Sequence, residues 1–366
     1  MKNFIITLLL ISFNVAGLEA LGLETESYTF PDIFFVDESN GWIAGGYWSS
    51  EGRLSGIIAH TTDGGNTWTV QLKNPPGTVL RKIWFSDIND GWVIGLGPVE
   101  TGVFVRTDDG GQNWSWEIDE TFYPVSIYLA NKNEGWIVKN KHTSGYGKIC
   151  WTQDGGRSWD IKLNFGVGQI LTSAYFLNQK EGWVLCCDGF RTYHTADGGD
   201  NWDIHDISGE IAPSSICFID SQEGWAIGAK DLMPHYVLHT IDGGKNWETL
   251  KEFEDTFLTE IYFSNRDEGW IIAEEGNYVM VSNNVILYTH DGGKNWQTQF
   301  ETEKQRLYGM HFLGNKKGWI IGNNIMLNTV DGGGIWNIMK FPFSSDETDV
   351  TPRSKLPITW GFIKRY

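Results

Sequence analysis

The sequence predicts an all-β chain folded as a seven-bladed β-propeller of four-stranded antiparallel blades, and three observations predict it. The phrase Thr-x-Asp-Gly-Gly-x-x-Trp occurs seven times, with its aspartates at Asp63, Asp109, Asp154, Asp197, Asp242, Asp291 and Asp331. Successive aspartates lie 40 to 49 residues apart, a period that signals a repeated supersecondary unit. A Gly-Trp pair precedes every phrase, ending at Trp42, Trp92, Trp136, Trp183, Trp225, Trp270 and Trp319. Upstream of each pair the chain alternates, with apolar residues nine and seven positions before the tryptophan, such as Ile33 and Phe35 or Ile261 and Phe263. Alternation of this kind is strand-like.

Within one repeat the elements follow in order. Strand A is the alternating stretch. A polar turn such as Asp87-Ile88-Asn89-Asp90-Gly91 closes it, and strand B starts at Gly-Trp and continues through an apolar pair such as Val93-Ile94. Strand C ends at the Thr-x-Asp phrase. There two adjacent glycines permit a tight turn with positive φ, while the threonine hydroxyl and the carboxylate accept hydrogen bonds from amides that the turn leaves unpaired. Strand D carries the phrase's tryptophan, whose ring is expected to wedge between sheets. Seven equivalent aspartates cannot share one catalytic centre, so they read as structural. Four strands about every 45 residues match the blade of a propeller.

Composition bounds what such a ring can bind. With 46 acidic and 28 basic side chains the net charge is -18, which argues against nucleic acid and against anionic membranes. Residues 1–20 read as a secretory signal peptide: Met1-Lys2-Asn3, an apolar run from Phe4 to Ile11, then small residues at Ala16, Gly17 and Ala20. No later run is long enough to span a membrane, so the mature chain is expected to be secreted or periplasmic. Residues 21–340 form the propeller and 341–366 a tail of different character. The cysteines Cys150, Cys186, Cys187 and Cys217 occupy apolar or small positions of three repeats, which argues against a disulfide framework. No His or Cys pair has metal-ligand spacing, and no cofactor motif is present.

The repeated phrase resembles the Asp-box, or BNR, repeat, and its pairing with Gly-Trp resembles the photosystem II assembly and stability factor family of seven-bladed propellers. The resemblance covers residues 28 to 340. It implies a peripheral, structural place for the boxes and a non-enzymatic role as a protein-binding or assembly scaffold. Asp-boxes also occur in sialidases and xyloglucanases, so a glycan-active hydrolase of sialidase or glycoside-hydrolase type is the alternative. That alternative requires Arg53, Arg81 and Arg306 to converge on a substrate carboxylate, with Tyr47 beside Glu51, Glu100 or Glu303 as nucleophile.

In a propeller the B-to-C and D-to-A connections open on one face, and here they are the variable segments. They present Tyr47, Trp48, Tyr123, Tyr146, His235 and Tyr278 among many carboxylates, and together with Arg53, Arg81 and Arg306 these are the candidate binding residues. A basic or mixed polypeptide is the expected partner and a glycan the second choice. The opposite face, built of A-to-B turns and boxes, is expected to look alike at every blade.

Overall fold

The computed structural model describes residues 27–339 apart from 49–52, 99–100, 142–145, 232, 278–279 and 304. Twenty-eight strands, β1–β28, form seven four-stranded antiparallel sheets. Each sheet takes four consecutive strands, so every blade is complete in itself and the expected seven-bladed propeller is the observed one. The innermost strands are β1 (Ser27–Phe35), β5 (Val79–Phe85), β9 (Tyr123–Leu129), β13 (Leu171–Phe176), β17 (Ala212–Phe218), β21 (Thr256–Phe263) and β25 (Leu307–Leu313). Residues 27–30 belong to the first blade, where Tyr28 pairs with Tyr47, rather than to the last. The expected signal peptide and tail lie outside the described residues.

In blade 1 the Gly-Trp pair opens β2 (Gly41–Trp48), and β3 (Leu54–Thr61) ends at the box threonine. The outer strand β4 (Thr69–Pro76) begins one residue after Trp68, so the box tryptophan precedes strand D instead of lying on it. Every box builds the same hydrogen-bond cage. The buried Thr61 hydroxyl accepts the amides of Asp63 (3.3 Å) and Gly65 (2.9 Å) and donates to Asp63 Oδ1, which also accepts the Thr67 amide at 2.8 Å. Gly64 and Gly65 hold φ of +73° and +97°, a region that penalises side chains. The Gly64 amide donates to Ser39 of the A-to-B turn at 2.9 Å, which fixes box and turn on one face of the ring.

The threonines are the buried members, with Thr61, Thr152 and Thr195 each 1% exposed, whereas the aspartates receive donors at the surface. Hydrogen bonds from the Asn201 side chain and amide hold the Asp197 carboxyl down at about 2, and those from Ser158 do the same for Asp154.

Packing between blades follows one repeated column. The residue seven positions before the Gly-Trp tryptophan, at the end of the innermost strand, is Phe in six of seven blades, and its ring takes the Gly-Trp indole of the preceding blade face to face. Trp42 stacks on Phe85 at 3.7 Å, Trp183 on Phe218 at 3.7 Å and Trp225 on Phe263 at 3.8 Å. The box tryptophan of the receiving blade meets the same Phe edge-on, as Trp114 does at 6.1 Å and 88°. Offset stacks and edge contacts of this kind add to the area they bury.

The ring closes by the same means. Trp319 of blade 7 stacks on Phe35 of blade 1 at 3.7 Å and 8°, and its indole N–H donates to the Gly64 carbonyl at 2.9 Å. Across the central shaft, Lys82 of blade 2 reaches Asp32 of blade 1 (3.5 Å) and Glu260 of blade 6 (3.3 Å). Those carboxylates also accept the amides of Ile83 (2.8 Å) and Met310 (3.0 Å), so four blades are tied through one ammonium. Below this charged layer Phe34 lies 4.9 Å from Trp84 and 4.6 Å from His311, and Trp84 lies 5.1 Å from Tyr128, lining the shaft with rings.

Candidate functional site

One seam departs from the column. Innermost strand β9 carries Leu129 at the position where the other six blades carry Phe, so Trp92 of blade 2 has no ring to stack on there in blade 3. It settles instead against Gly135, where an added Cβ would come within 2.8 Å of its ring, and meets the box tryptophan Trp159 directly at 5.5 Å and 68°. The Gly155 carbonyl is the counterpart of Gly64, Gly243 and Gly292, which accept the indole N–H of Trp319, Trp183 and Trp225. At this seam it accepts the Arg106 guanidinium instead, at 3.3 Å.

The same seam is open on the box face. A cleft of about 660 Å³ opens there, lined by Trp92, Arg106, Lys132 and Arg157, with Asp90, Asp108 and Trp114 around them. Three cations in one cleft reverse the sign of this acidic chain locally. Burial, followed by the neighbouring Asp87, pushes the Asp90 carboxyl above its ordinary value. The expectation of a box face alike at every blade therefore fails between blades 2 and 3. The signal was present in the sequence as Leu129 standing seven residues before Trp136.

A second, smaller cavity of about 110 Å³ lies along the same seam, lined by Val103, Phe104, Glu117, Ile118, Ile137 and Trp159 among others. The two cavities share a wall in which Trp92 and Trp159 are in contact and Arg106 pairs with Glu117 at 3.6 Å.

The candidate residues of the loop face are scattered and largely engaged. Arg306 pairs with Glu274 of blade 6 at 3.3 Å, while half-buried Arg81 feels the Tyr123 phenol of blade 3. Blade 1 carries the exposed Arg53. Tyr47 packs on Tyr28 at 4.9 Å under the Lys73 ammonium, 4.3 Å from its ring. His235 is buried, and its Nδ1 accepts the Leu258 amide at 3.2 Å. Tyr146 stands edge-on to Phe122 at 5.7 Å, and Trp48 is half-buried at the end of β2. Tyr278, Glu51 and Glu100 lie outside the described residues.

Among the described residues no cluster of His, Cys, Asp or Glu has the form of a metal site, and no helix is long and apolar enough to cross a membrane. The four cysteines are buried, free thiols, and burial pushes Cys186 up to about 12 and Cys187 to about 11.

Comparison with known proteins decides the family. The model of the photosynthesis system II assembly factor YCF48 family matches residues 161–255, 202–298 and 253–345, which together span half of the chain. The chain belongs to this family. The matched residues cover blades 4 to 7, so the open seam lies in the half that the family model does not reach. A photosystem II assembly lipoprotein Ycf48 from Synechococcus sp. (strain CC9902) is 27% identical over 157 residues, 42% of each chain. The chloroplastic photosystem II stability/assembly factor HCF136 of Guillardia theta is 25% identical over 211 residues, 50% of this chain and 52% of its own. The chain thus spans about half the length of the curated relatives it matches. A solved structure of YCF48 bound to D1 peptide superposes with a TM-score of 0.64 at 20% identity, covering 83% of this chain and 94% of that one, and shares the fold.

Proposed function

We propose that this chain is an exported, non-enzymatic scaffold that binds a polypeptide in the manner of an assembly factor, and that the polypeptide docks at the open seam between blades 2 and 3. The observation that carries the reading is the basic cleft lined by Arg106, Lys132 and Arg157, set in a ring whose other seams hold the repeated column. Family membership supports a scaffold, and a relative of the same fold holds a D1 peptide. Export rests on the signal-like residues 1–20 and agrees with the lipoprotein and chloroplastic names of the relatives. The charge of the cleft selects an acidic segment of the partner, where the carboxylates of the loops favoured a basic one. Against hydrolysis of a sialoside stands the pairing of Arg306 with Glu274, since a clamp on a substrate carboxylate needs that guanidinium for the substrate.

The loop face, with Trp48, Tyr146 and Tyr278, is the competing surface. A D1 peptide titrated by fluorescence anisotropy separates the two. The double variant Lys132→Glu, Arg157→Glu is expected to weaken binding by roughly a hundredfold, and Trp48→Ala with Tyr146→Ala to leave it within about twofold. The reverse pattern places the partner on the loop face and overturns the reading.

A further inference from the structure

The two cavities of the open seam stand at a fixed spacing along one strand. The outer strand of blade 2, β8 (Ser115–Asp119), borders both: Ser115 lines the basic cleft, while Ile118 and Asp119 line the smaller, apolar slot. Its register with the neighbouring strand pairs Arg106 with Ser115, Phe104 with Glu117 and Gly102 with Asp119. Phe104 touches Trp159 of blade 3 at 5.7 Å and Arg106 bonds Gly155 of blade 3, so Ser115, Glu117 and Asp119 look into the seam. Strand β8 is the last in its sheet, and its first four residues are exposed. Its outer edge therefore presents unpaired backbone donors and acceptors.

Resting on the reading of the chain as a polypeptide-binding scaffold, we infer that the partner segment adds to the free edge of β8 as an extended strand. It places a carboxylate side chain in the cleft of Arg106, Lys132 and Arg157 and an apolar side chain in the slot four residues along. Three features fix that description. A strand rises about 3.3 Å per residue, so four residues span roughly 13 Å, the reach from Ser115 to Asp119. Side chains alternate between faces with a period of two, so residues i and i+4 of an added strand both turn toward the seam. The slot is small and walled by Val103, Phe104, Ile137 and Trp159, and a cavity of about 110 Å³ admits an aliphatic side chain rather than an indole. Main-chain pairing supplies affinity in this mode, and the two pockets supply selectivity.

Other features carry less. The charged layer of the shaft is satisfied internally, with Lys82 shared between Asp32 and Glu260 and both carboxylates accepting amides.

The test uses the full-length protein and synthetic eight-residue peptides read by fluorescence anisotropy. A peptide with Glu at position i and Leu at i+4 is expected to bind at least tenfold more tightly than one with the same residues at i and i+3, and than one with Gln in place of Glu. N-methylation of alternate backbone amides, on the set facing β8, is expected to remove binding, and the other set to leave it. Equal affinity for the i+3 and i+4 peptides, or indifference to either methylation set, overturns the strand-addition inference. If Lys132→Glu with Arg157→Glu still abolishes binding in that case, the seam remains the docking site and only the mode is wrong. If instead Trp48→Ala with Tyr146→Ala abolishes it, the seam itself has been misassigned.

Discussion

The seam between blades 7 and 1 closes the ring, yet it is the seam between blades 2 and 3 that stands open. At the closing seam no strand is shared between the ends of the chain among the described residues, and Trp319, Phe35 and Trp68 reproduce the column found within the chain. Closure therefore needs no special device beyond the Lys82 bridge across the shaft. Between blades 2 and 3 the chain is continuous, so entropy does not oppose the contact, and still the packing is incomplete. A seam that covalent continuity already holds together can lose a ring and remain folded. The contrast locates the opening where the fold tolerates it.

The largest expected difference between the two seams is in stability. Trp319→Ala removes a fully buried indole, its stack on Phe35 and its bond to Gly64, and is expected to cost about 3–5 kcal/mol. Trp92→Ala lacks the face-to-face stack and the carbonyl bond and should cost about 1 kcal/mol less. Urea unfolding of both variants checks this, and equal losses would erase the distinction.

Next in size are the boxes, which should not distinguish the seams at all. Thr61→Val beside the closing seam and Thr152→Val beside the open one each strip two amides of a buried acceptor. Both are expected to lose about 1–3 kcal/mol, and by the same amount within error. A markedly smaller loss for Thr152→Val would mean that the open seam loosens its box as well. Arg106→Ala, which frees the Gly155 carbonyl to the solvent of the cleft, should cost only about 1 kcal/mol by thermal melt.

The smallest effect per residue is that of acid. The carboxyls of Asp154, Asp197 and Asp291 are held at about 2 in the folded chain, below their value in an unfolded one. Their contribution is fully present above about pH 4 and is lost as pH falls through about 2. Melting temperatures recorded over that window should decline, and by the same amount in the wild type and in Trp319→Ala. Replacing Asp154 with Asn should remove part of the decline.

Most of the fold was legible because it is written locally and seven times. Each box satisfies itself within eight residues, so the spacing of Thr61, Asp63 and Gly65 carries its geometry. The seam column is not local: Trp42 and Phe85 are partners across blades, and only the ring's curvature decides which side of a strand faces the next blade. Once that partnership is known, Leu129 becomes the one exception among seven positions, and the cleft follows from it. The surroundings of the candidate arginines were hidden for the same reason. Arg81 and Arg306 sit in neighbouring phases of the repeat, but the partners that orient them, Tyr123 and Glu274, come from blades on opposite sides.

The central claim is that a missing ring makes the binding site, and Leu129→Phe tests it most directly. Restoring Phe should displace Trp92 from Gly135 into a full column and fill the cleft. Titration of the acidic peptide against this variant, with its structure determined in parallel, is expected to give a loss of roughly tenfold or more in affinity alongside a closed seam. Unchanged affinity with the seam closed would contradict the account.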